Sequence, residues 1–248
     1  MSIENLNQLG ALLQSCWAYP QGLAQVNDSG LTPLHFILLG SAECEPDLFN
    51  WMAERCPSNM LTRSRFGCIP LHRACQSLTR HLGDDSSEIC KYLIEQCTES
   101  VRIPELREVL PIHLLLHHCE HPLVKEVVVC LLREYPESYD IPVRTPTGDV
   151  VVVPSSIPFV QRIKPLLDEE RELKENVGYL QQMSGVFQDA VDGTDNPSPL
   201  ASSTYIVFDS WTKSFTQYFE ARMERISTEL QDECNVEEED DRERAIDE

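Results

Sequence analysis

The sequence has few basic residues, few aromatic residues and no long apolar run. Its 248 residues include 20 Lys and Arg against 41 Asp and Glu, so the formal net charge at pH 7 is −21. Proteins that bind nucleic acid neutralise phosphates with Lys and Arg, but the body of this chain has no basic cluster longer than Arg63-Ser-Arg65. No stretch reaches the roughly 20 apolar residues that cross a bilayer. We therefore expect neither a nucleic-acid partner nor a membrane partner.

Signals for secretion and for disulfide bonding are also missing. The N-terminus lacks the basic start and apolar core of a signal peptide, and the ten cysteines include no CxxC pair. Most cysteines fall in apolar helical patterns, where Cys behaves as a small hydrophobic residue. We expect reduced thiols in an intracellular protein, cytoplasmic or nuclear. A disulfide framework is the alternative if the chain is secreted.

Motifs of common enzymes are missing as well. The chain has no Gly-rich phosphate loop, no Gly-x-Ser-x-Gly elbow and no His-Glu-x-x-His helix. Its paired carboxylates, at Asp84-Asp85 and within residues 237–241, have the solvated surroundings that are typical of surface charge. The sequence therefore predicts no catalytic residues and no cofactor.

One short phrase occurs three times. It reads Gly30-Leu-Thr-Pro-Leu-His35, then Gly67-Cys-Ile-Pro-Leu-His72, then Glu108-Val-Leu-Pro-Ile-His113. The histidines are 37 and 41 residues apart (72 − 35 and 113 − 72). A unit of this length that returns in fixed register is typical of a repeat architecture. Stacked repeats present a binding surface rather than a catalytic pocket.

The composition of the phrase has physical reasons. Pro33 fits the first turn of a helix, because its missing N–H has no intrahelical partner there, and Thr32 can cap that helix. Leu34 is expected in the core, and His35 is expected to bind backbone groups of the neighbouring turn. Gly30 suits a turn that requires a positive φ. The equivalent residues in the later copies are Pro70, Leu71, His72, Pro111 and His113.

The phrase resembles the ankyrin repeat, whose signature Gly-x-Thr-Pro-Leu-His-x-Ala opens the first of two antiparallel helices. Residues 30–35 match it fully, and residues 67–74 lack only the Thr. The resemblance implies an all-α, ankyrin-type helical repeat solenoid over residues 1–165, with about three repeats plus caps. The spacings exceed the usual ~33 residues, so we expect extra residues between paired helices, at 40–46 and 81–87. Residues 139–165 are expected to form a degenerate or capping repeat.

The resemblance also implies where a partner binds. In ankyrin stacks the turn tips and the inner face of the first helices meet the partner, and Arg and aromatic residues are favoured anchors. We predict a non-enzymatic adaptor, scaffold or inhibitor that binds another protein through its concave face and tips. The alternative is that the tip side chains only bridge adjacent tips. The residues proposed for binding are Asn27, Asp28, Arg63, Arg65, Phe66 and Arg107.

The C-terminal third has a different organisation. We predict a charged helix at 166–188, a linker at 189–203, an aromatic amphipathic helix at 204–230 and a disordered acidic tail at 231–248. Trp211, Phe215 and their neighbours recur at steps of three or four, which marks an apolar stripe. The stripe, from Trp211 to Leu230, is expected to pack on the repeat stack. The alternative is that it recruits a partner, or a second copy of the chain, as part of a regulatory subunit.

A histidine-rich segment is the one candidate for a metal. His117 lies one helical turn after His113, and tetrahedral zinc accepts His and Cys ligands. The repeat phrase already explains His113, however, and the spacing matches no standard zinc module. We predict no metal site and keep zinc binding as a third alternative. The ligands would be His117, His118, Cys119 and His121.

Overall fold

The computed structural model describes residues 20–39, 44–144, 149–193 and 199–236. These residues are mostly helical, as predicted for an all-α chain. The α-helices in the described part are α1 (Pro33–Ile37), α2 (Pro46–Arg55), α3 (Pro70–His81), α4 (Asp84–Gln96), α5 (Pro122–Glu134), α6 (Pro158–Asp192) and α7 (Pro199–Asn235). Short 3-10 helices lie at Pro20–Ala24, Pro57–Leu61, Thr98–Arg102, Pro111–Leu114, Leu116–His118, Pro136–Asp140 and Pro154–Ser156. Strands β1 (Val143–Arg144) and β2 (Val150–Val152) form a small antiparallel pair.

The chain divides into two compact units. The first contains residues 1–161 together with 234–248, and the second contains residues 162–233. The three copies of the phrase lie in the first unit, and almost all of α6 and α7 forms the second.

Proline sets the ends of helices in the first unit. α2 ends at Arg55, immediately before Cys56-Pro57, and α5 ends at Glu134, before Tyr135-Pro136. A Pro disfavours the helical region for the residue that precedes it, and in both places the chain changes to a 3-10 helix. The same change follows α4, where Thr98 takes the place of Pro.

The core of the first unit lies between the longer helices. α3 packs against α4, and α4 packs against α5. Leu34, Leu71 and Ile112, which share one position of the phrase, are all buried, as expected. Apolar burial of this kind is the main favourable contribution to folding.

Two connections between helices were expected to contain extra residues, at 40–46 and 81–87. The second expectation is wrong, and the first falls partly outside the described residues. Residues 81–87 are not an extended connection, because α3 runs to His81 and α4 already begins at Asp84. Asp84 and Asp85 occupy the first turn of α4, where a carboxylate is stabilised by the helix dipole. In the other connection, residues 40–43 lie outside the described residues, and α2 begins at Pro46.

In the second unit, α6 and α7 form an antiparallel helical hairpin. Arg222 binds both carboxylate oxygens of Glu169, at 2.7 and 2.8 Å. Near the start of α6 and the end of α7, the Arg162 guanidinium donates a hydrogen bond to the Glu233 carboxylate at 2.8 Å. At the opposite end of the hairpin the rings of Phe187 and Phe208 lie 4.4 Å apart.

The boundaries predicted for the C-terminal third are wrong in three places. Helix α6 begins at Pro158 and runs through Pro165, where the repeat region was expected to end. The predicted linker at 189–203 is shorter, because α6 continues to Asp192 and α7 begins at Pro199, a favourable first helical residue. Helix α7 continues to Asn235, past the predicted start of the acidic tail, and residues 237–248 lie outside the described residues.

Candidate protein-binding surface

Each copy of the phrase begins with the same hydrogen-bonded turn. In the second copy, the Ser64 N–H donates to the Cys68 carbonyl and the Gly67 N–H donates to the Ser64 carbonyl, both at 2.8 Å. The first copy has the equivalent bonds from Asn27 to Leu31 and from Gly30 to Asn27, at 3.1 and 2.8 Å. The third copy has them from Glu105 to Val109 and from Glu108 to Glu105, at 3.1 and 3.0 Å. We call the three turns, residues 27–30, 64–67 and 105–108, the tip row.

Backbone hydrogen bonds join the three turns to one another. The Arg65 N–H donates to the Ser29 carbonyl at 2.9 Å, and the Leu106 N–H donates to the Phe66 carbonyl at 3.1 Å. The turns are therefore fixed relative to each other through the main chain, which leaves the exposed side chains at their tips available for other contacts.

The last residue of each turn has a positive φ. The values are 72° at Gly30, 77° at Gly67 and 60° at Glu108. A Cβ at Gly67 would lie 2.9 Å from the backbone nitrogen of Leu106, so glycine is required there by both conformation and space. At Glu108 the turn accommodates a Cβ.

The histidines of the phrase bind the backbone on both sides. His35 Nδ1 accepts hydrogen bonds from the Thr32 N–H at 3.3 Å and the Thr32 hydroxyl at 2.8 Å. Its Nε2–H donates to the Cys68 carbonyl of the next copy at 3.1 Å. Thr32 Oγ1 in turn accepts the His35 N–H at 3.4 Å, which makes Thr32 the cap of α1, as predicted.

The second and third histidines are held in the same way. His72 Nδ1 accepts the Ile69 N–H at 3.3 Å, and its Nε2–H donates to the Val109 carbonyl at 3.1 Å. The third histidine, His113, makes the equivalent bonds to Leu110 at 3.1 Å and to Ile141 at 3.0 Å. Each histidine thus connects one copy of the phrase to the segment that follows it.

Burial keeps these imidazoles neutral. It lowers the pKa of His35 to about 4, and it also lowers the pKa of His72 and of His113. Removing an imidazolium from water disfavours the charged form. Because both ring nitrogens already bind the backbone, these histidines have a structural role.

The structure divides the residues proposed for binding into two groups. Asn27 is used within its own turn, since its Oδ1 accepts the N–H groups of Ser29 at 2.9 Å and Leu31 at 3.0 Å. Arg63 donates to the Pro104 carbonyl at 3.4 Å and so bridges neighbouring turns, as the alternative interpretation expected. The remaining four proposed residues are exposed at the tips: Asp28, Arg65, Phe66 and Arg107.

Two exposed apolar side chains, one in a turn and one in α1, were not selected from the sequence. Leu106 lies next to Arg107 and is 73% exposed, and Phe36 directly follows the first histidine of the phrase and is 38% exposed. Phe66, which was selected, is 57% exposed. A search for large apolar residues within the turns would have found Leu106, because turns are usually polar.

The histidine-rich segment shows no ligand geometry. His113 is bound to the backbone on both ring nitrogens, and Cys119 Sγ donates to the Leu115 carbonyl at 3.7 Å. Within the described part of the chain, no three His, Cys, Asp or Glu side chains are placed to hold one metal ion. His117, His118 and His121 lie in or beside the short 3-10 helix at Leu116–His118.

Comparison with models of known protein families gave no match, and no curated protein is significantly similar in sequence. Among the described residues, no helix is long and apolar enough to cross a membrane.

Proposed function

We propose that residues 20–161 form an ankyrin-type stack whose tip row binds another protein, so that the chain acts as a non-enzymatic adaptor, scaffold or inhibitor. The observation that carries this proposal is the exposed pair Phe66 and Leu106, joined through a backbone hydrogen bond between adjacent turns. Arg65 and Arg107 flank this pair and are exposed.

The composition of this surface supports a protein partner. A large apolar side chain beside an arginine is the combination that is enriched at energetically important interface positions. The apolar pair offers area to bury, and the guanidinium groups can bind carboxylates bidentately. The hydrogen bonds along the tip row reduce the ordering that binding would otherwise require.

The experiment is site-specific photocrosslinking in extract from the native cells. A photoreactive phenylalanine analogue at position 66 is expected to crosslink a defined protein. The same analogue at Glu88, an exposed position in the first turns of α4, serves as the matched control. Crosslinks of equal yield and identity at both positions would contradict a binding role for the tip row.

Charge reversal gives a second, independent measurement. The Arg65→Glu/Arg107→Glu variant should lose the crosslinked partner, because the guanidinium groups that flank Phe66 are replaced by carboxylates. Arg80→Glu is the control, since Arg80 is exposed about 15 Å along α3 from its tip end. Retention of the partner by the double variant would place the binding surface elsewhere. Circular dichroism should first show that all variants are equally folded.

A further inference from the structure

The half of the α6–α7 hairpin around Trp211 has one apolar side and one polar side. The polar side is a groove lined by Gln181 and Ser184 from α6 and by Asp209, Thr212, Lys213, Thr216 and Gln217 from α7. Residues two apart on a helix point in nearly opposite directions, about 200° round the axis. The residues two positions from these groove residues therefore define the other side of the hairpin.

The large exposed residues on that other side are mostly apolar, and the polar Ser210, Ser214 and Gln182 lie among them. Val207 lies two positions before Asp209 and is 69% exposed, and Trp211 lies two before Lys213 and is 50% exposed. Tyr218 lies two after Thr216 and is 61% exposed. On α6, Tyr179 and Val186 lie two positions from Gln181 and Ser184, and they are 61% and 58% exposed. Because the polar flanks of both helices meet in one groove, the apolar flanks lie together on the opposite side.

Aromatic rings form a continuous row along this side. The Phe208 and Trp211 ring centroids are 6.2 Å apart, and those of Trp211 and Phe215 are 4.5 Å apart. A groove of about 530 Å³ lies beside Trp211, lined by Thr204, Val207, Phe208 and Trp211. We call Tyr179, Val186, Phe187, Val207, Trp211, Phe215 and Tyr218 the aromatic face.

We propose that the aromatic face binds the aromatic face of a second copy of this chain, so that two hairpins form a four-helix assembly. Area is the first argument. With roughly 150–250 Å² for each of the five aromatic side chains and less for each of the two valines, the seven exposed fractions amount to on the order of 700 Å² per copy, close to the roughly 800 Å² that one partner contributes to a stable interface.

Charge is the second argument, and it selects a second copy over a partner of opposite charge. Residues 179–193 and 199–219 contain three acids and one base, a net of −2 out of −21 for the chain. The ion pair in this stretch, Lys213 with Asp209 at 2.7 Å, lies in the polar groove rather than on the aromatic face. Two strongly acidic chains repel each other, and the seven uncharged residues of the aromatic face add nothing to that repulsion. The aromatic face offers no charge to attract a basic or an acidic partner.

The experiment is sedimentation equilibrium of the full chain and three variants with an added lysine. Trp211→Lys and Tyr218→Lys place a charge on the aromatic face, whereas Gln217→Lys places the same charge on the polar side of the same helix. We expect the unmodified chain and Gln217→Lys to sediment with twice the mass of one chain. Each aromatic-face variant should raise the dimer dissociation constant roughly 30-fold or more, the loss expected for a central interface residue.

Three outcomes would overturn the proposal. The first is a monomeric unmodified chain. The second is a dimer that persists in both aromatic-face variants, and the third is an equal loss in Gln217→Lys. Tyr218 is so exposed that Tyr218→Lys should fold normally, so a folding defect of Trp211→Lys leaves the test intact. The Arg65→Glu/Arg107→Glu variant should remain dimeric, which separates this interface from the tip row.

Discussion

Alanine placed at equivalent positions of two turns should destabilise the protein at one position and leave its stability almost unchanged at the other. Gly67 and Glu108 occupy the same place in the phrase, with φ of 77° and 60°. In Gly67→Ala, the new Cβ would lie 2.9 Å from the Leu106 nitrogen, which donates a hydrogen bond to the Phe66 carbonyl at 3.1 Å. The substitution therefore strains the backbone and also forces two turns of the tip row apart.

The magnitude follows from these two effects. A residue with a Cβ in the left-handed region costs about 1–2 kcal/mol relative to the right-handed one, and a lost backbone hydrogen bond costs about 1 kcal/mol. We expect Gly67→Ala to reduce the free energy of unfolding by about 2–3 kcal/mol. Glu108→Ala should change it by less than about 0.5 kcal/mol, because that turn already accommodates a Cβ. Glu108→Gly should stabilise the protein by about 0.5–1 kcal/mol, since relief of strain exceeds the entropy cost of glycine.

The assay is urea unfolding monitored by circular dichroism. The urea concentrations at the midpoint are compared between variants whose free energy of unfolding has the same dependence on urea concentration. Glu108→Ala is the matched control for Gly67→Ala, because both place an alanine in the same local conformation. Equal midpoints for these two variants would show that neither the positive φ nor the close approach of the next turn at position 67 contributes to stability. A destabilised Glu108→Gly would contradict the assignment of strain to position 108.

Three further measurements follow from buried groups. In the folded state His35 stays neutral down to its pKa of about 4, whereas in the unfolded chain it binds a proton from about pH 6.5 downward. Lowering the pH from 7.5 to 5 should therefore reduce the free energy of unfolding, measured with urea, by about 2 kcal/mol through this residue. Lys125 is fully buried, and its Nζ donates a hydrogen bond to the Val236 carbonyl at 2.6 Å. Because a hydrogen bond from a charged group stabilises by about 1.5–3 kcal/mol, Lys125→Met should loosen the backbone near Val236 and speed its amide hydrogen exchange. Burial raises the pKa of the Cys68 thiol to about 11, so partly exposed Cys56 should react with iodoacetamide before Cys68 in the native protein, as peptide mass spectrometry will show.

Each of these expectations has a clear contrary result. A pH dependence that is unchanged in His35→Asn would show that this imidazole does not titrate on unfolding. Unchanged exchange near Val236 would mean that Lys125 does not hold the end of α7. Labelling of Cys68 at the rate of Cys56 would indicate that the tip row opens in the native state.

The local structure of the phrase was predictable because it depends on neighbouring residues. The cap at Thr32, the helix start at Pro33 and the burial of Leu34 all follow from the chemistry of a helix N-terminus, and the structure contains all three. A bond from the histidine to the neighbouring turn was also expected. Its acceptor, the carbonyl of Cys68, lies 33 residues away, and no local pattern identifies it.

The C-terminal boundaries were less predictable because long-range packing overrides local signals there. Pro165 interrupts the helical pattern in sequence, yet α6 continues through it with Phe159 and Ile163 buried on the preceding turns. Loss of one hydrogen bond at a proline is a local cost of about 3 kcal/mol, and burial of the large apolar side chains on the preceding turns can offset it. The boundary predicted at Pro165 is therefore wrong, because this proline lies inside a helix rather than at its end.

Two of the three turns have glycine at the positive-φ position, and in both the backbone of the next turn lies close to that glycine. Glycine occupies the positive-φ position in the first two turns, where the backbone of the next turn lies 3.0 Å and 2.9 Å from the position of a Cβ. The third turn has Glu108 instead, and His113 still reaches forward to the Ile141 carbonyl at 3.0 Å. The histidine bond thus continues into the segment before β1, whereas a glycine with both a positive φ and a close backbone approach is found, among the described residues, only at Gly30 and Gly67. The third turn, which has Glu108 in place of glycine, has at its tip Leu106, which is 73% exposed, and Arg107, which is also exposed.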